Sequence, residues 1–196
     1  MRKVILSMMM TLDGYSTGPN GEMDYLPPFD NVELWKELHE EMWAQLRNID
    51  TFLLGRVTYK IWESYWPSAA LNPNSTQSDI DFSKFADKTQ KVVFSKTLDK
   101  AEWQNSRLVK DNIAEEVMKM KSQPGRDMAL AGGAKLAQTF TRLGLIDDFL
   151  IVVHPVILGV GKPLFGNLTE RKRLKLVETR KYKNGAVLLH YVPAPV

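Results

Sequence analysis

Three short apolar runs in this sequence end in small or basic residues of the kind that bind phosphate. The runs are followed directly by Gly55-Arg56, Ser95-Lys96 and Gly132-Gly133, and each run has the length of a buried strand. In open α/β sheets, ligands bind in the crevice beyond the carboxyl ends of the strands. Three such ends in one chain indicate a single shared site.

The glycine pair Gly132-Gly133 precedes a predicted helix that begins at Ala134. Bare backbone lets a pyrophosphate approach the amide hydrogens, and the positive end of the helix dipole favours its negative charge. A glycine pair after a strand is also a common tight turn. Because the full Gly-x-Gly-x-x-Gly fingerprint is absent, a standard Rossmann site is not supported.

Two cations and two hydroxyls lie at the other strand ends, and together they suit the 2′-phosphate of a dinucleotide. Arg56 offers a bidentate guanidinium and Lys96 a point charge, while Thr58 and Ser95 offer neutral donors. The alternative is that both cations are solvated charges just outside their strands.

Composition limits the class of protein. The chain has 196 residues, 44% apolar and 25% charged, which fits one domain over residues 1–196. The net charge of +3 comes from mixed charges, and the densest basic run, 171–173, is too short for a nucleic-acid face. The chain has no cysteine, so disulfides and thiolate chemistry are excluded. With no signal-peptide pattern and no apolar stretch near the roughly 20 residues of a membrane span, we expect a cytoplasmic protein without a membrane partner.

The predicted elements alternate strand and helix four times and then continue as strands, with a terminal hairpin turned at 183–185. This order is typical of an α/β protein with a mostly parallel sheet and an antiparallel C-terminal edge. The pattern also predicts three element boundaries. The second helix should stop at Pro67, Asn112 with Glu115 should begin the third, and 158–163 should be a loop.

Three segments resemble, in order, the cofactor motifs of the dihydrofolate reductase superfamily. They are Leu53-Leu54-Gly55-Arg56-Val57-Thr58-Tyr59, Val93-Phe94-Ser95-Lys96-Thr97-Leu98 and Ala131-Gly132-Gly133-Ala134-Lys135-Leu136. The chain is most similar to the branch that contains the riboflavin-biosynthesis reductase domain. The segments that carry this closer likeness are Thr11-Leu12-Asp13-Gly14, Gly144-Leu145-Ile146-Asp147-Asp148, Pro155-Val156-Ile157-Leu158-Gly159 and Pro163-Leu164-Phe165. The resemblance spans nearly the whole chain.

The resemblance implies an eight-stranded, mainly parallel sheet with flanking helices, NADPH lying across the strand ends, and a homodimer. It places the adenosine 2′-phosphate near Arg56, Ser95 and Lys96, and the pyrophosphate on 132–134. The residues that it implies for cofactor binding are Gly55, Arg56, Thr58, Ser95, Lys96, Gly132, Gly133 and Ala134.

Two carboxyls are candidates for the catalytic, proton-donating role. The resemblance puts Asp13 at the mouth of the nicotinamide site, although a turn former next to Gly14 would look the same. Asp30 lies near the position of the acidic residue that holds the pterin in dihydrofolate reductases. Its local sequence does not match that motif, and an N-cap of the first helix is the favoured alternative.

The expected function is an NADPH-dependent reductase that transfers hydride to a small heterocyclic or sugar-linked substrate, most like 5-amino-6-(5-phosphoribosylamino)uracil reductase. A pterin or dihydrofolate reductase and a non-enzymatic, dimeric NADPH-binding module are the alternatives. A phosphorylated sugar needs a second basic site, for which Lys162 is the candidate. No metal is expected, because His39, His154 and His190 lack metal-ligand spacing; His154 should be a satisfied interior or interface histidine.

Overall fold

The structure, a computed structural model, describes residues 1–26 and 32–195 and, over 32–35, the backbone alone. The strands are β1 Val4–Thr11, β2 Tyr15–Thr17, β3 Ile49–Gly55, β4 Gln90–Phe94, β5 Ser106–Val109, β6 Asp127–Leu130, β7 Asp148–His154, β8 Lys162–Pro163, β9 Leu174–Lys181 and β10 Val187–Pro193. The helices are α1 Val32–Leu46, α2 Arg56–Ala69, α3 Gln77–Lys88, α4 Ile113–Ser122 and α5 Ala134–Arg142.

Eight of these strands form one sheet in the order β5-β4-β3-β6-β1-β7-β10-β9. The first six are parallel, whereas β10 runs antiparallel to both β7 and β9. The prediction of a mostly parallel sheet with flanking helices and an antiparallel C-terminal edge is confirmed. The terminal hairpin turns as expected at 183–185, where Tyr182 N–H donates to Ala186 O at 2.9 Å.

Both faces of the central strands are covered, which explains why these strands read as continuous apolar runs. In β3, Leu53 packs with the core beneath α4 and α5, whereas Phe52 and Leu54 pack with the core beneath α2 and α3. A third apolar cluster joins α1 to β7 and β10, through Leu38, Val152 and Leu188.

The chain leaves the neighbouring strands β3 and β6 in opposite directions. From β3 it passes through α2 and α3 to β4 on one side, and from β6 it passes through α5 to β7 on the other. Helices α2 and α5 therefore lie on opposite faces of the sheet. Such a reversal opens a crevice beyond the carboxyl ends of the two strands, which is where doubly wound folds bind ligands.

Two sequence predictions are wrong in detail, and one is confirmed. Helix α2 continues through Pro67 to Ala69, because a proline this close to the C-terminus removes only one helical hydrogen bond and Ala69 is buried. Helix α4 begins directly after Asn112, as predicted, although Asn112 is in a left-handed conformation (φ 54°) and its side chain makes no capping hydrogen bond. Part of the loop at 158–163 is strand β8, which pairs with β2.

Helix α3 and strand β5 were not predicted from the sequence. Helix α3 begins at a capping box in which Thr76 Oγ1 accepts from Asp79 N–H at 3.2 Å and the Asp79 carboxylate accepts from Thr76 N–H at 3.0 Å. Strand β5 is only four residues long and forms the edge of the sheet beside β4. Its carboxyl end adds a fourth strand end to the edge where the predicted site lies.

Candidate cofactor-binding site

The ends of β3 and β6 meet at two glycines. A Cβ on Gly55 would lie 2.7 Å from the carbonyl oxygen of Gly132, and a Cβ on Gly132 would lie 3.0 Å from both the nitrogen of Gly55 and the Cβ of Leu136. Real Cβ atoms do not come closer than about 3 Å to such neighbours, because repulsion rises steeply there. Both positions of this contact therefore require glycine for steric reasons, and both glycines were among the residues predicted to share one site.

Two helices begin at this contact without a capping side chain. Helix α2 follows its N-cap Gly55, and α5 follows its N-cap Gly133, whose φ of 75° favours glycine. The first amide groups of both helices are therefore left without a side-chain acceptor. Thr58 Oγ1 lies 3.3 Å from the position that a Cβ on Gly133 would take, so this hydroxyl borders the same spot.

The predicted cations lie beside these helix ends. Gly55 pairs in register with Phe94, which places Arg56 next to Ser95 across the ends of β3 and β4. Arg56 is exposed and forms no salt bridge with any residue in the described part of the chain. Lys96 is also exposed, and its Nζ lies 3.4 Å from Asp111 Oδ1.

Ser95 organises the turn that carries Lys96. Its Oγ accepts hydrogen bonds from the backbone N–H groups of Thr97 at 3.2 Å and Leu98 at 3.0 Å. Its own hydroxyl hydrogen remains available to donate outward. Bare helix termini, a guanidinium, a lysine and a hydroxyl are the groups that would suit a polyanion with more than one phosphate group.

Asp13 has a different environment from the one expected of a proton donor. One carboxylate oxygen accepts from Thr11 Oγ1 at 2.6 Å, the other accepts from Gly159 N–H at 2.7 Å, and both are 3.1 Å from the N of Leu158. The Thr11 hydroxyl is the largest of the influences that lower the pKa of Asp13 to about 2. The three donors thus stabilise the ionised form of the carboxyl.

Two residues, Asp30 and Lys162, were predicted on the side of the site that would hold the substrate. Asp30, the other predicted catalytic carboxyl, lies outside the described residues. Lys162, in β8, is exposed, and its Nζ lies 3.5 Å from the position of a Cβ on Gly21, which lies between β2 and α1. It forms no salt bridge within the described ranges.

His154 differs from its predicted role as a satisfied histidine. It is 2% exposed at the end of β7, and its Nε2 has no hydrogen-bond partner among the described residues. Its ring packs edge-on against Tyr25, with 5.8 Å between centroids, and the Tyr25 hydroxyl donates to Ser16 O at 3.0 Å. Burial lowers the pKa of His154, because the low-dielectric surroundings disfavour the charged ring.

Two contributors to this edge were missed from the sequence. Asp111 follows β5 and reaches Lys96, and this contact would have been indicated if residues 106–109 had been recognised as a strand. Gln138 of α5 donates through Nε2 to Pro163 O at 2.8 Å, and no pattern in the sequence indicates that contact.

Two further observations concern ligands and membranes. Across residues 1–26 and 36–195, no three His, Asp or Glu side chains are grouped as a metal site would require. None of the helices described in those ranges is long and apolar enough to cross a bilayer.

Comparison with known proteins identifies the family. Residues 2–188 match the RibD C-terminal domain. The chain is 38% identical over 192 residues to the uncharacterized protein YyaP of Bacillus subtilis (strain 168), covering 97% of this chain and 94% of YyaP.

Solved structures share the fold at lower identity. A crystal structure of a protein of Shewanella sp. PV-4, provisionally assigned to riboflavin biosynthesis, superposes with a TM-score of 0.72 at 19% identity and full coverage of both chains. Dihydrofolate reductase from Enterococcus faecalis superposes with a TM-score of 0.57 at 14% identity, over 98% of this chain and 97% of that one. The fold is thus that of the dihydrofolate reductases, and the chain belongs to the RibD C-terminal domain family.

Proposed function

We propose that this protein is an NADPH-dependent reductase that acts on a small heterocyclic or sugar-linked substrate, most like 5-amino-6-(5-phosphoribosylamino)uracil reductase. The observation that carries the proposal is the contact between Gly55 and Gly132, at which two uncapped helices begin beside Arg56 and Lys96. Membership of the RibD C-terminal domain family supports the reductase class.

The residues of the site fit NADPH. The bare backbone at Gly132 and Gly133 leaves room for a pyrophosphate against the amides that begin α5. Arg56, Ser95 and Lys96 present two positive charges and one hydroxyl to a 2′-phosphate, which NADH lacks. When bound, the cofactor supplies the hydride, while the protein provides binding, orientation and electrostatics.

The substrate would enter beside the ends of β1 and β7. An uracil carrying a phosphorylated sugar needs a cation, and Lys162 offers an exposed one without a salt bridge in the described chain. A pterin would need a carboxylate in the cleft, and the candidate for that role, Asp30, lies outside the described residues. The exposed Lys162 favours the sugar-linked substrate.

A second candidate is a NADPH-binding module without turnover. It is favoured by one observation: Asp13, one of the two carboxyls predicted to donate a proton, is ionised at neutral pH. Substrate-dependent oxidation of NADPH separates this candidate from the reductase.

A homodimer forms part of the proposal. All eight residues of the edge strand β9 are exposed, including the apolar Leu174, Leu176 and Val177. A long edge strand with unpaired backbone groups is a template for pairing with another strand. Light scattering on the purified chain should therefore give twice the mass of 22.4 kDa.

The direct test of the proposed function is a calorimetric titration of the purified protein with NADPH and with NADH. We expect NADPH to bind at least about tenfold more tightly, since one charge-assisted hydrogen bond contributes about 1.5–3 kcal/mol. Absence of NADPH binding at millimolar concentration would reject the proposal. Binding without oxidation in the presence of the uracil substrate or dihydrofolate would favour the non-catalytic module.

A further inference from the structure

If a dinucleotide binds as proposed, the order of the strands indicates where its nicotinamide half would lie. If its 2′-phosphate is at the ends of β4 and β3 and its pyrophosphate is at the end of β6, the next strand end is that of β1. Neighbouring strands are about 4.8 Å apart, so the path from β4 to β1 covers about 14 Å. It ends at the turn 12–14, which contains Asp13.

Asp13 fastens one end of a segment that we call the strap, residues 158–166. The carboxylate receives the backbone N–H groups of Leu158 and Gly159, 145 and 146 positions away, while Thr11 Oγ1 donates to it from the end of β1. The hydrogen bond from Leu164 N–H to Gly14 O, at 2.9 Å, ties a further strap residue to the same turn.

The other end of the strap is fastened to the helix that begins at the proposed pyrophosphate site. Gln138, one turn into α5, donates through Nε2 to Pro163 O at 2.8 Å. Between the two ends, β8 pairs with β2, and Ser16 Oγ donates to Lys162 O at 3.0 Å. The strap therefore connects the turn after β1 with the first turns of α5.

We propose that Asp13 is a positioning residue, which fastens the strap so that the turn after β1 and the start of α5 together hold the nicotinamide half of the cofactor. The inference rests on the proposed function. It replaces the proton-donating role that the sequence suggested for Asp13. A carboxylate suits this task because it offers acceptors only, and all three of its partners are donors.

The inference predicts different effects on the binding of the adenosine half and of the nicotinamide half of the cofactor. The probe 2′,5′-ADP carries the adenosine and the 2′-phosphate but no nicotinamide, and it would contact Arg56 and Lys96 without reaching the strap. Loss of Asp13 should weaken the binding of NADPH and leave that of 2′,5′-ADP unchanged. A general loss of structure would weaken both ligands.

The experiment compares calorimetric binding of NADPH and 2′,5′-ADP to the wild-type protein, Asp13→Ala and Gln138→Ala. For Asp13→Ala we expect NADPH to bind at least about fivefold more weakly, equivalent to the loss of one hydrogen bond of about 1 kcal/mol. Gln138→Ala should also weaken the binding of NADPH and not that of 2′,5′-ADP, with a smaller loss of affinity. This variant still tests the inference if Asp13→Ala does not fold. Arg56→Ala serves as the matched control and should weaken both ligands.

The two levels of the hypothesis fail in different ways. If the wild-type protein binds neither ligand, the proposed function is rejected and the strap inference with it. A different result would overturn only the positioning role: the wild type binds both ligands, but the two variants keep the wild-type affinity for NADPH or lose affinity for both ligands equally. The cofactor site would then stand. Hydrogen exchange gives an independent readout, because the Gly159 amide should exchange faster in Asp13→Ala.

Discussion

The backbones of Gly55 and Gly132 touch where β3 and β6 end, so that neither residue can carry a Cβ without displacing the other. Through this contact, two helices on opposite faces of the sheet begin at one point. The same contact brings Arg56 and the Gly133 turn to one site. A side chain here would change the geometry of both helix ends at once.

Gly132→Ala should therefore lower both stability and affinity for NADPH. Its Cβ would meet the nitrogen of Gly55 at 3.0 Å and would also collide with the Leu136 side chain. Overpacking of this kind costs about 1–3 kcal/mol. Thermal unfolding measures the first effect and calorimetry the second, for which we expect a loss of about tenfold or more.

Gly18→Ala is the control for this substitution, because the three atoms nearest to its Cβ would all belong to the flexible Glu22 side chain rather than to backbone. It should leave the affinity for NADPH close to that of the wild type. Wild-type stability and affinity in Gly132→Ala would contradict the steric argument.

Arg56→Ala should lower the affinity for NADPH by about ten- to a hundredfold, since a charge-assisted hydrogen bond contributes about 1.5–3 kcal/mol. The affinity for NADH should change little, because NADH has no 2′-phosphate. Titration of both cofactors measures the difference. Lys175→Ala, which removes an exposed cation from β9, is the control. Equal losses for the two cofactors would rule out a 2′-phosphate role for Arg56.

Asp111→Asn should strengthen NADPH binding. Asp111 Oδ1 lies 3.4 Å from Lys96 Nζ, and both side chains are highly exposed, so the carboxylate competes with a phosphate for the same cation. An exposed ion pair contributes about 0.2–1 kcal/mol, which predicts a gain of up to about fivefold. The gain should disappear in the double variant with Lys96→Met. An unchanged or weaker affinity in the single variant would show that Lys96 does not contact the cofactor.

A buried lysine far from the site should make stability depend on pH. Lys91 Nζ donates to Ala86 O at 2.5 Å and to Thr89 O at 2.8 Å, and it lies 4.1 Å from the centre of the Trp103 ring. Burial lowers the pKa of Lys91 from 10.5 to about 8, against the opposing influence of Asp87. Between these two values, the unfolded chain binds more protons at this residue than the folded chain.

The Lys91 contribution to the free energy of unfolding should therefore rise as the pH increases from about 8 to 10.5. Denaturant unfolding at several pH values, compared between the wild type and Lys91→Met, isolates this contribution from other groups. We expect the difference between the two proteins to grow in favour of the wild type across that window. Lys88→Met, on the exposed end of α3, should show no such trend. A flat difference for Lys91→Met would refute the lowered pKa.

The local sequence was sufficient to predict the order of most elements and the residue types at the strand ends. The apolar runs before Gly55, Ser95 and Gly132 are long enough to form strands, and parallel strands place their carboxyl ends at one edge. Helix α3 was missed because its hydrophobic side chains, among them Phe82, are few. Strand β5 was missed because it is only four residues long. The cofactor-binding roles remain predictions, which the titrations above test.

The amino-acid sequence by itself determined the family through motifs along the chain, the α/β class through the order of its elements, and the glycines and cations that follow the apolar runs. Only the tertiary structure decided the role of Asp13, since its partners Leu158 and Gly159 are 145 and 146 residues away. It also decided that Gly55 and Gly132 touch, because that contact depends on the side-by-side pairing of β3 with β6. The types of the residues set which chemistry is available, whereas pairing between distant strands sets which of those residues can act together.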